Sequence, residues 1–399
     1  MATKNNAKII FHIDMNAFFC SVACLLNPAL RGKVFAIGRE NSYRGVISSA
    51  SYEARALGIR SAMSQKEAYD LVPNLIIVSV DYSHYVHYHH LFLNILKEYS
   101  SLIEVASIDE AYLDVTERSL TRHPLVLAKE IQARLLKEIG LSCSIGIAPT
   151  LFLAKMASDM KKPLGVTVLR KRDVATMLYP LPVSDIYGIG KKTYPVLIKN
   201  GIKTIADFMD EKNKSKIIKL IGENTYTYVI QSVLGASSNI VDPNRHGESE
   251  SISTSKTYDR IIDSETEVLY ELRKMTRELV EKLRSNHYFA KTIGFTMRNV
   301  DFKTSTRSRS IDYTDDFQTI FEVIADLVEE HYHNEPLRLL GVDLANIKEE
   351  KQLPKVYNLF TIGDQDEKKE VIDSLIKEYQ EKYGKNALFQ NKNKDLHKY

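Results

Sequence analysis

The sequence predicts a multidomain α+β protein, and three observations carry that expectation. Strand-like and helix-like segments alternate over the first 170 residues, only short helical segments follow to about residue 235, and residues 251–347 read strand, helix, strand, strand, helix, strand. At 399 residues the chain exceeds one ordinary core; roughly two to four domains of about 100 to 200 residues each are expected.

In order, "KIIFHID" (8–14) is β-branched and aromatic and ends on a carboxylate, which predicts a strand. "NAFFCSVACLL" places Phe18, Val22 and Leu25 on one helical face and stops before Pro28. "KVFAIG" and "GVISSAS" read as short strands, "SYEARALG" as a helix ending at Gly58, "NLIIVSVD" as a strand and residues 82–99 as a helix. "EVASIDEAYLDV" (104–115) reads as a hairpin, residues 125–139 as a long helix, and "SCSIGIAP" as a strand leading into the helix "LFLAKMASDM". "GASSNIVDPNRHGESES" is polar, carries Pro243 and Gly247, and reads as a linker. Helices are expected near 265–284 and 317–331, with strands at "SISTSKTY", "AKTIGFTMRNV", "TSTRSRSIDY" and "LRLLGVDLANI". The last 52 residues are charged, with one helical pattern at Val371, Leu375, Tyr379 and Tyr383.

Composition excludes several classes. The chain is 44% apolar and 26% charged with only 17 Gly and 11 Pro, as folded proteins are. No apolar run approaches the roughly 20 residues that cross a bilayer. The opening "MATKNNAKIIF" lacks a signal peptide's long apolar segment, so a cytoplasmic protein without a membrane partner is expected. Cys20, Cys24 and Cys143 form no C-x-x-C and no disulfide framework, and read as packing residues. Net charge is only +3, yet residues 150–203 hold ten Lys or Arg against three acids, and 291–309 hold five against one. Such stretches fit a polyanion track or, equally, a solvated face.

Within "EVASIDEAYLDV" the adjacent carboxylates of Asp109 and Glu110 interrupt what looks like buried strand, and burying an ionised carboxylate without a partner is costly. Neighbours on a regular strand point to opposite faces, and a hairpin turn removes that restriction. Asp14 ends the first strand likewise, and hard oxygen ligands at strand ends suit Mg²⁺. Three such acids can bracket two ions about 3.5 to 4 Å apart. From the pair alone, a metal site and acids capping a surface turn both remain open. "SSASYEAR" adds Ser49, Tyr52 and Arg55 near a helix start, and "SDMKKPLG" adds Lys162, together able to hold a triphosphate. The histidine run "HYVHYHH" (84–90) lies on an amphipathic helix with no Cys or acid to complete a zinc site, and reads as surface and packing.

"FHIDMNAFFCSV", "SSASYEARALGI", "SIDEAYLDV", "CSIGIAPTLFLAKMASDMKKPLG" and "IYGIGKKT" follow one another as in Y-family DNA polymerases of the DinB type, the translesion polymerase IV group, which the chain resembles from about residue 8 to 345. The resemblance implies a right-hand polymerase: palm at 1–15 and 80–170, small fingers at 16–79, a helical thumb with a helix-hairpin-helix at 171–239, linker at 240–250, little finger at 251–347 and a charged tail at 348–399. It implies a low-fidelity, template-directed DNA polymerase for translesion synthesis by two-metal nucleotidyl transfer, without a proofreading exonuclease. Asp14, Asp109, Glu110 and the main-chain carbonyl of Met15 are then the metal ligands for two Mg²⁺ ions, for which Mn²⁺ can substitute. Ser49, Tyr52, Arg55 and Lys162 match triphosphate contacts, Phe19 the aromatic steric gate with Phe18 beside it, and Val46, Ser48 and Ala62 the fingers' roof.

For DNA, the resemblance points to Gly188, Gly190, Lys191 and Lys192, where glycines let the backbone approach a phosphate. It points also to Arg298, Arg307 and Arg309 in the third domain. The implied partners are primer-template DNA and deoxynucleoside triphosphates, with the protein a monomer. In the tail, "KVYNLF" resembles a sliding-clamp peptide through Leu359 and Phe360, with Val356 where that peptide usually carries Gln. Two rivals stand beside this expectation: a DNA-binding scaffold that has lost catalysis, and another palm-type two-metal enzyme such as a nucleotide cyclase.

Overall fold

β1 (Ile10–Met15) is buried along its whole length because it is the middle strand of a sheet covered on both faces. In the computed structural model, which describes residues 8–40, 45–245, 247 and 250–353, the chain divides into two compact units between residues 248 and 249.

In the first unit β1 turns sharply through Ala17, at φ +43°, into α1 (Phe18–Leu26). A small sheet follows, with β2 (Phe35–Ile37) antiparallel to β3 (Ser49–Ala50) and parallel to β4 (Ile76–Val78). Between β3 and β4 lie α2 (Tyr52–Ala56), capped by Ser51, and α3 (Gln65–Leu71), capped by Ser64. Then come α4 (Tyr82–Lys97), the hairpin β5 (Ile103–Val105) and β6 (Glu110–Asp114), α5 (Pro124–Ile139), β7 (Cys143–Ala148), α6 (Leu151–Asp159) and β8 (Val166–Val168). The main sheet runs β5-β6-β1-β7-β8.

Its two faces are set by the alternation of β1. Phe11, Ile13 and Met15 join Tyr85, Phe92, Ile95 and Leu96 of α4 and Leu127, Ile131 and Leu135 of α5 in one core. Ile10, His12 and Asp14 face the other way, toward α6. α6 packs against β7 at Gly146, where a Cβ would lie 2.0 Å from the Ala154 carbonyl oxygen. Only glycine allows the helix this close.

Short helices complete the unit: α7 (Val174–Met177), α8 (Tyr194–Lys199), α9 (Ile205–Met209), α10 (Lys214–Ile221) and α11 (Glu223–Val233). Ile189, Leu197, Phe208, Ile217, Tyr226 and Val229 form their core.

The second unit is a five-stranded antiparallel sheet from β9 (Ser251–Ile262), β10 (Tyr288–Asn299), β11 (Thr304–Thr314), β12 (Leu337–Ala345) and the two-residue β13 (Lys348–Glu349), ordered β11-β10-β12-β9 with β13 paired to β10. Helices α12 (Glu265–Ser285) and α13 (Phe317–His331) pack on the face carrying Ile293, Phe295, Leu340, Val342 and Leu344. Among the described residues, no helix is long and apolar enough to cross a membrane.

Candidate active site

The antiparallel register of β1 and β6 sets Asp14 directly opposite Glu110. Directly opposite residues project from the same face of the sheet with Cβ atoms about 4.5–5.5 Å apart. Both therefore stand at one end of the sheet, under α6, whose Lys155 reaches down between them. Lys155 Nζ lies 2.8 Å from Glu110 Oε1, 3.1 Å from Asp14 Oδ2 and 3.5 Å from Asp159 Oδ2. Lys162 Nζ adds contacts of 2.5 Å to Asp14 Oδ2 and 2.6 Å to Asp159 Oδ1. Asp14 Oδ2 thus accepts two ammonium groups at once.

Charge in this cluster is unevenly shared. Burial, with the hydrogen bond to Glu110, pushes the Asp14 carboxyl up to about 7 against the pull of Lys155 and Lys162. Burial acts on Glu110 too, but hydrogen bonds from His12 and Asp14 and the Lys155 charge outweigh it and hold Glu110 below its ordinary value. Lys155 stays charged because Asp14, Asp159 and Glu110 outweigh its desolvation. Beneath the pair His12, fully buried, meets Glu110 Oε2 at 3.3 Å through Nε2 and Ser158 Oγ at 2.8 Å through Nδ1.

Asp109 occupies the β5–β6 turn. Its carbonyl accepts the Met15 N–H at 3.0 Å, which brings Met15 and Asp109 side by side at the end of β1. Its carboxylate is turned instead to the Ser107 hydroxyl, 2.6 Å from Oδ1. Asp14 and Glu110 are therefore together while Asp109 adjoins them by its backbone, and among the described residues no three His, Cys, Asp or Glu side chains form a ready metal group. The donor set nevertheless suits a hard divalent cation: paired carboxylates at a strand end, already occupied by positively charged stand-ins. Removing Lys155, the buried cation of this cluster, would cost about 3–5 kcal/mol.

The nucleotide candidates lie on and around β3 and α2. Ser49 is buried on β3, and the Arg55 guanidinium lies 5.2 Å from the Tyr52 ring centroid while its Nε donates to the Ala50 carbonyl at 2.9 Å. Burial raises the Tyr52 hydroxyl, and its charged surroundings include Arg55, Lys162 and Asp14. Phe19, half-buried, meets the Tyr85 ring edge-on at 4.5 Å and 86°, and Phe18 lies 5.6 Å away. Val46, Ser48 and Ala62 are exposed, while Ile47 between the first two is buried.

Among the DNA candidates, Gly188 has φ +96° and the Ile189 side chain enters the helical core, leaving Gly190, Lys191 and Lys192 at the surface beside it. Lys191 Nζ lies 3.4 Å from the Ser61 carbonyl oxygen. The three arginines do not share one face. Arg298 pairs with Thr304 on the side without helices, with Nε donating to its hydroxyl at 2.7 Å. Arg307 and Arg309 sit opposite Phe295 and Ile293, on the helix side, and Arg309 is held by Asp326 at 3.1 Å and Glu330 at 2.6 Å. The open side instead carries hydroxyls, Thr292 with Ser310 and Thr296 with Thr306. Leu359, Phe360 and the helical pattern of the tail lie outside the described residues.

Sequence reasoning missed His12, Lys155, Asp159 and Tyr85. The available signals were a histidine two residues before Asp14, hence on its face, and a lysine inside the apolar run "LFLAKMA".

Three family models match the chain: the impB/mucB/samB family at residues 13–159, the IMS family HHH motif at 171–202 and the impB/mucB/samB family C-terminal domain at 249–355. A DNA polymerase IV of Oceanobacillus iheyensis is 37% identical over 98% of this chain and 93% of its own length. DNA polymerase IV 1 of Bacillus subtilis is 38% identical over 95% and 91%. Among solved structures, a Y-family DNA polymerase chimera of Dbh and Dpo4 covers 86% of this chain and 99% of its own at 26% identity, with a TM-score of 0.75. DinB from Sulfolobus solfataricus covers 85% and 99% at 27% identity, with a TM-score of 0.59.

Proposed function

The chain belongs to the impB/mucB/samB family, the Y-family DNA polymerases of the DNA polymerase IV group, and from that membership we propose how its own residues carry out low-fidelity, template-directed DNA synthesis across damaged template. It is a DNA-directed DNA polymerase acting on DNA template and nucleotides, dependent on divalent metal and without proofreading, as its family is.

The residue assignments are our reading. Asp14, Asp109 and Glu110, with the Met15 carbonyl, hold the divalent ions, which we take to be two Mg²⁺, replaceable by Mn²⁺. The observation that supports it is the facing of Asp14 and Glu110 across β1 and β6, with two ammonium groups on one carboxylate oxygen. When bound, the ions activate the primer 3′-hydroxyl for in-line attack on the α-phosphate and stabilise the departing pyrophosphate. Lys162 exchanges Asp14 for the incoming triphosphate, which frees an oxygen of Asp14; Arg55, Tyr52 and Ser49 hold the remaining phosphate oxygens. Lys155, bridging Asp14 and Glu110, offsets their mutual repulsion and holds the two carboxylates together. Phe19, braced by Tyr85, closes the space beneath the sugar C2′ and rejects ribonucleotides. Small exposed residues at Val46, Ser48 and Ala62 leave room above the nascent pair.

We assign the palm to 1–15 and 80–170, the fingers to 16–79, the thumb to 171–239, the linker to 240–250 and the little finger to 251–347. Gly188 to Lys192 bind DNA phosphate through backbone amides, and Arg298 with the neighbouring hydroxyls follows the duplex on the open side of the second sheet. The protein works as a cytoplasmic monomer and reaches the sliding clamp through Leu359 and Phe360. Extension of a primer over an abasic template with Mg²⁺, by wild type and by Glu110→Ala, tests the reading. Loss of extension in the variant supports it, and normal extension overturns it.

A further inference from the structure

The turn that carries Asp109 is gripped by a residue outside the site described so far. His89 of α4 places Nδ1 2.8 Å from the carbonyl oxygen of Ile108. A carbonyl oxygen only accepts, so Nδ1 carries the proton and donates. That carbonyl belongs to the same rigid peptide plane as the Asp109 N–H. Holding the Ile108 oxygen therefore fixes the plane that enters Asp109.

The plane that leaves Asp109 is fixed as well, through its carbonyl and the Met15 N–H at 3.0 Å. With both flanking planes held, the carboxylate retains only its side-chain torsions. Its resting partner, the Ser107 hydroxyl, is exposed and readily exchanged. α4 is itself a firm support. Tyr85, one turn before His89, packs on Phe19, and Phe92, Ile95 and Leu96 are buried in the main core. The other histidines of the run, His84, His87 and His90, are exposed, so His89 stands apart from them.

We propose that His89 is a positioning residue: it clamps the peptide plane before Asp109 so that the carboxylate leaves Ser107 and joins Asp14 and Glu110 at the divalent ion by side-chain rotation alone. This rests on the reading of Asp109 as a metal ligand. Without the clamp, the Ile108–Asp109 peptide can reorient, and each ion must then reorder the turn before it is bound.

Two variants separate the hydrogen bond from the bulk of the ring: His89→Phe keeps a ring without a donor, and His89→Asn keeps a donor near the position of Nδ1. Removing a partner that orients a metal ligand typically costs about 10- to 100-fold in metal affinity or activity. His89→Phe is expected to raise the half-saturating divalent concentration for primer extension by about that factor. The KM for the nucleotide should stay within about twofold, and amide hydrogen exchange at 106–110 in the metal-free protein should accelerate about tenfold or more. His89→Asn should restore both metal dependence and exchange protection. Asp109→Asn is run beside them. If it is inactive while His89→Phe keeps wild-type metal dependence and exchange, the clamp is overturned. If Asp109→Asn extends primers normally, the metal-ligand reading falls and the clamp falls with it. Should His89→Phe fold poorly, His89→Asn decides: wild-type exchange at 106–110 supports the clamp, and loss of protection despite the retained donor overturns it.

Discussion

Replacing Phe19 with Ala removes a ring held by two aromatic neighbours. The ring meets Tyr85 at 4.5 Å and Phe18 at 5.6 Å, both edge-on, so it cannot swing aside to admit a 2′-hydroxyl without breaking two aromatic contacts. Each such pair is worth about 0.5–1.5 kcal/mol. Forcing an extra group against a fixed ring costs about 1–3 kcal/mol, which converts to about 5- to 150-fold in relative specificity. The ratio of kcat/KM for CTP to that for dCTP, measured by single-nucleotide primer extension opposite template G, should rise by that factor in Phe19→Ala. Loss of both aromatic contacts should also lower stability by about 1–3 kcal/mol, so the melting temperature is followed in parallel. A folded variant whose CTP to dCTP ratio stays within about threefold of wild type would refute the gate and the bracing role given to Tyr85.

Two further outcomes follow from charge. In the proposed ligand role Asp14 must be ionised, and its carboxyl is pushed up to about 7, so the affinity of the nucleotide-free protein for Mn²⁺ should fall as pH drops below about 7, by up to about tenfold per unit, and level off above it; Mn²⁺ titration followed by electron paramagnetic resonance between pH 5.5 and 8.5 would contradict this if it came out flat. On the second sheet, Arg298→Ala should weaken primer-template binding and reduce the salt slope by about one, whereas Arg309→Ala should lower thermal stability and leave that slope unchanged, because Arg309 already pairs with Asp326 and Glu330; equal slopes in the two variants would contradict the division of faces.

Local patterns exposed much of the fold to reading from sequence. The strand that carries Asp14, the hairpin turn before Glu110 and the helix over Phe317–His331 all announce themselves by period, by turn residues or by caps. α3 escaped notice although Ser64 and Glu67 supply the start of a capped helix, because its apolar face is short. β8 escaped because three residues that pair in parallel with β7 carry no alternation to detect. The site was legible only in part for a related reason: contacts between residues far apart in sequence depend on register. Lys155 counts toward a basic run that suggests a surface for polyanions, yet α6, brought close by Gly146, points it inward to Asp14 and Glu110. His89 belongs to a run that reads as surface and packing, yet one member of the run holds a specific carbonyl. Arg309 sits in a basic strand, and strand parity sends it to the helix side.

We propose above all that Asp14, Asp109 and Glu110 jointly hold the catalytic ions. Anomalous diffraction from crystals grown with Mn²⁺, primer-template and a non-hydrolysable deoxynucleoside triphosphate tests it most directly. Manganese peaks are expected within about 2.0–2.3 Å of oxygens from all three side chains, with Asp109 turned away from Ser107 and Lys162 moved from Asp14 to the phosphates. Manganese bound with the Asp109 carboxylate still on Ser107, or no manganese on the oxygens of Asp14 and Glu110, would contradict it.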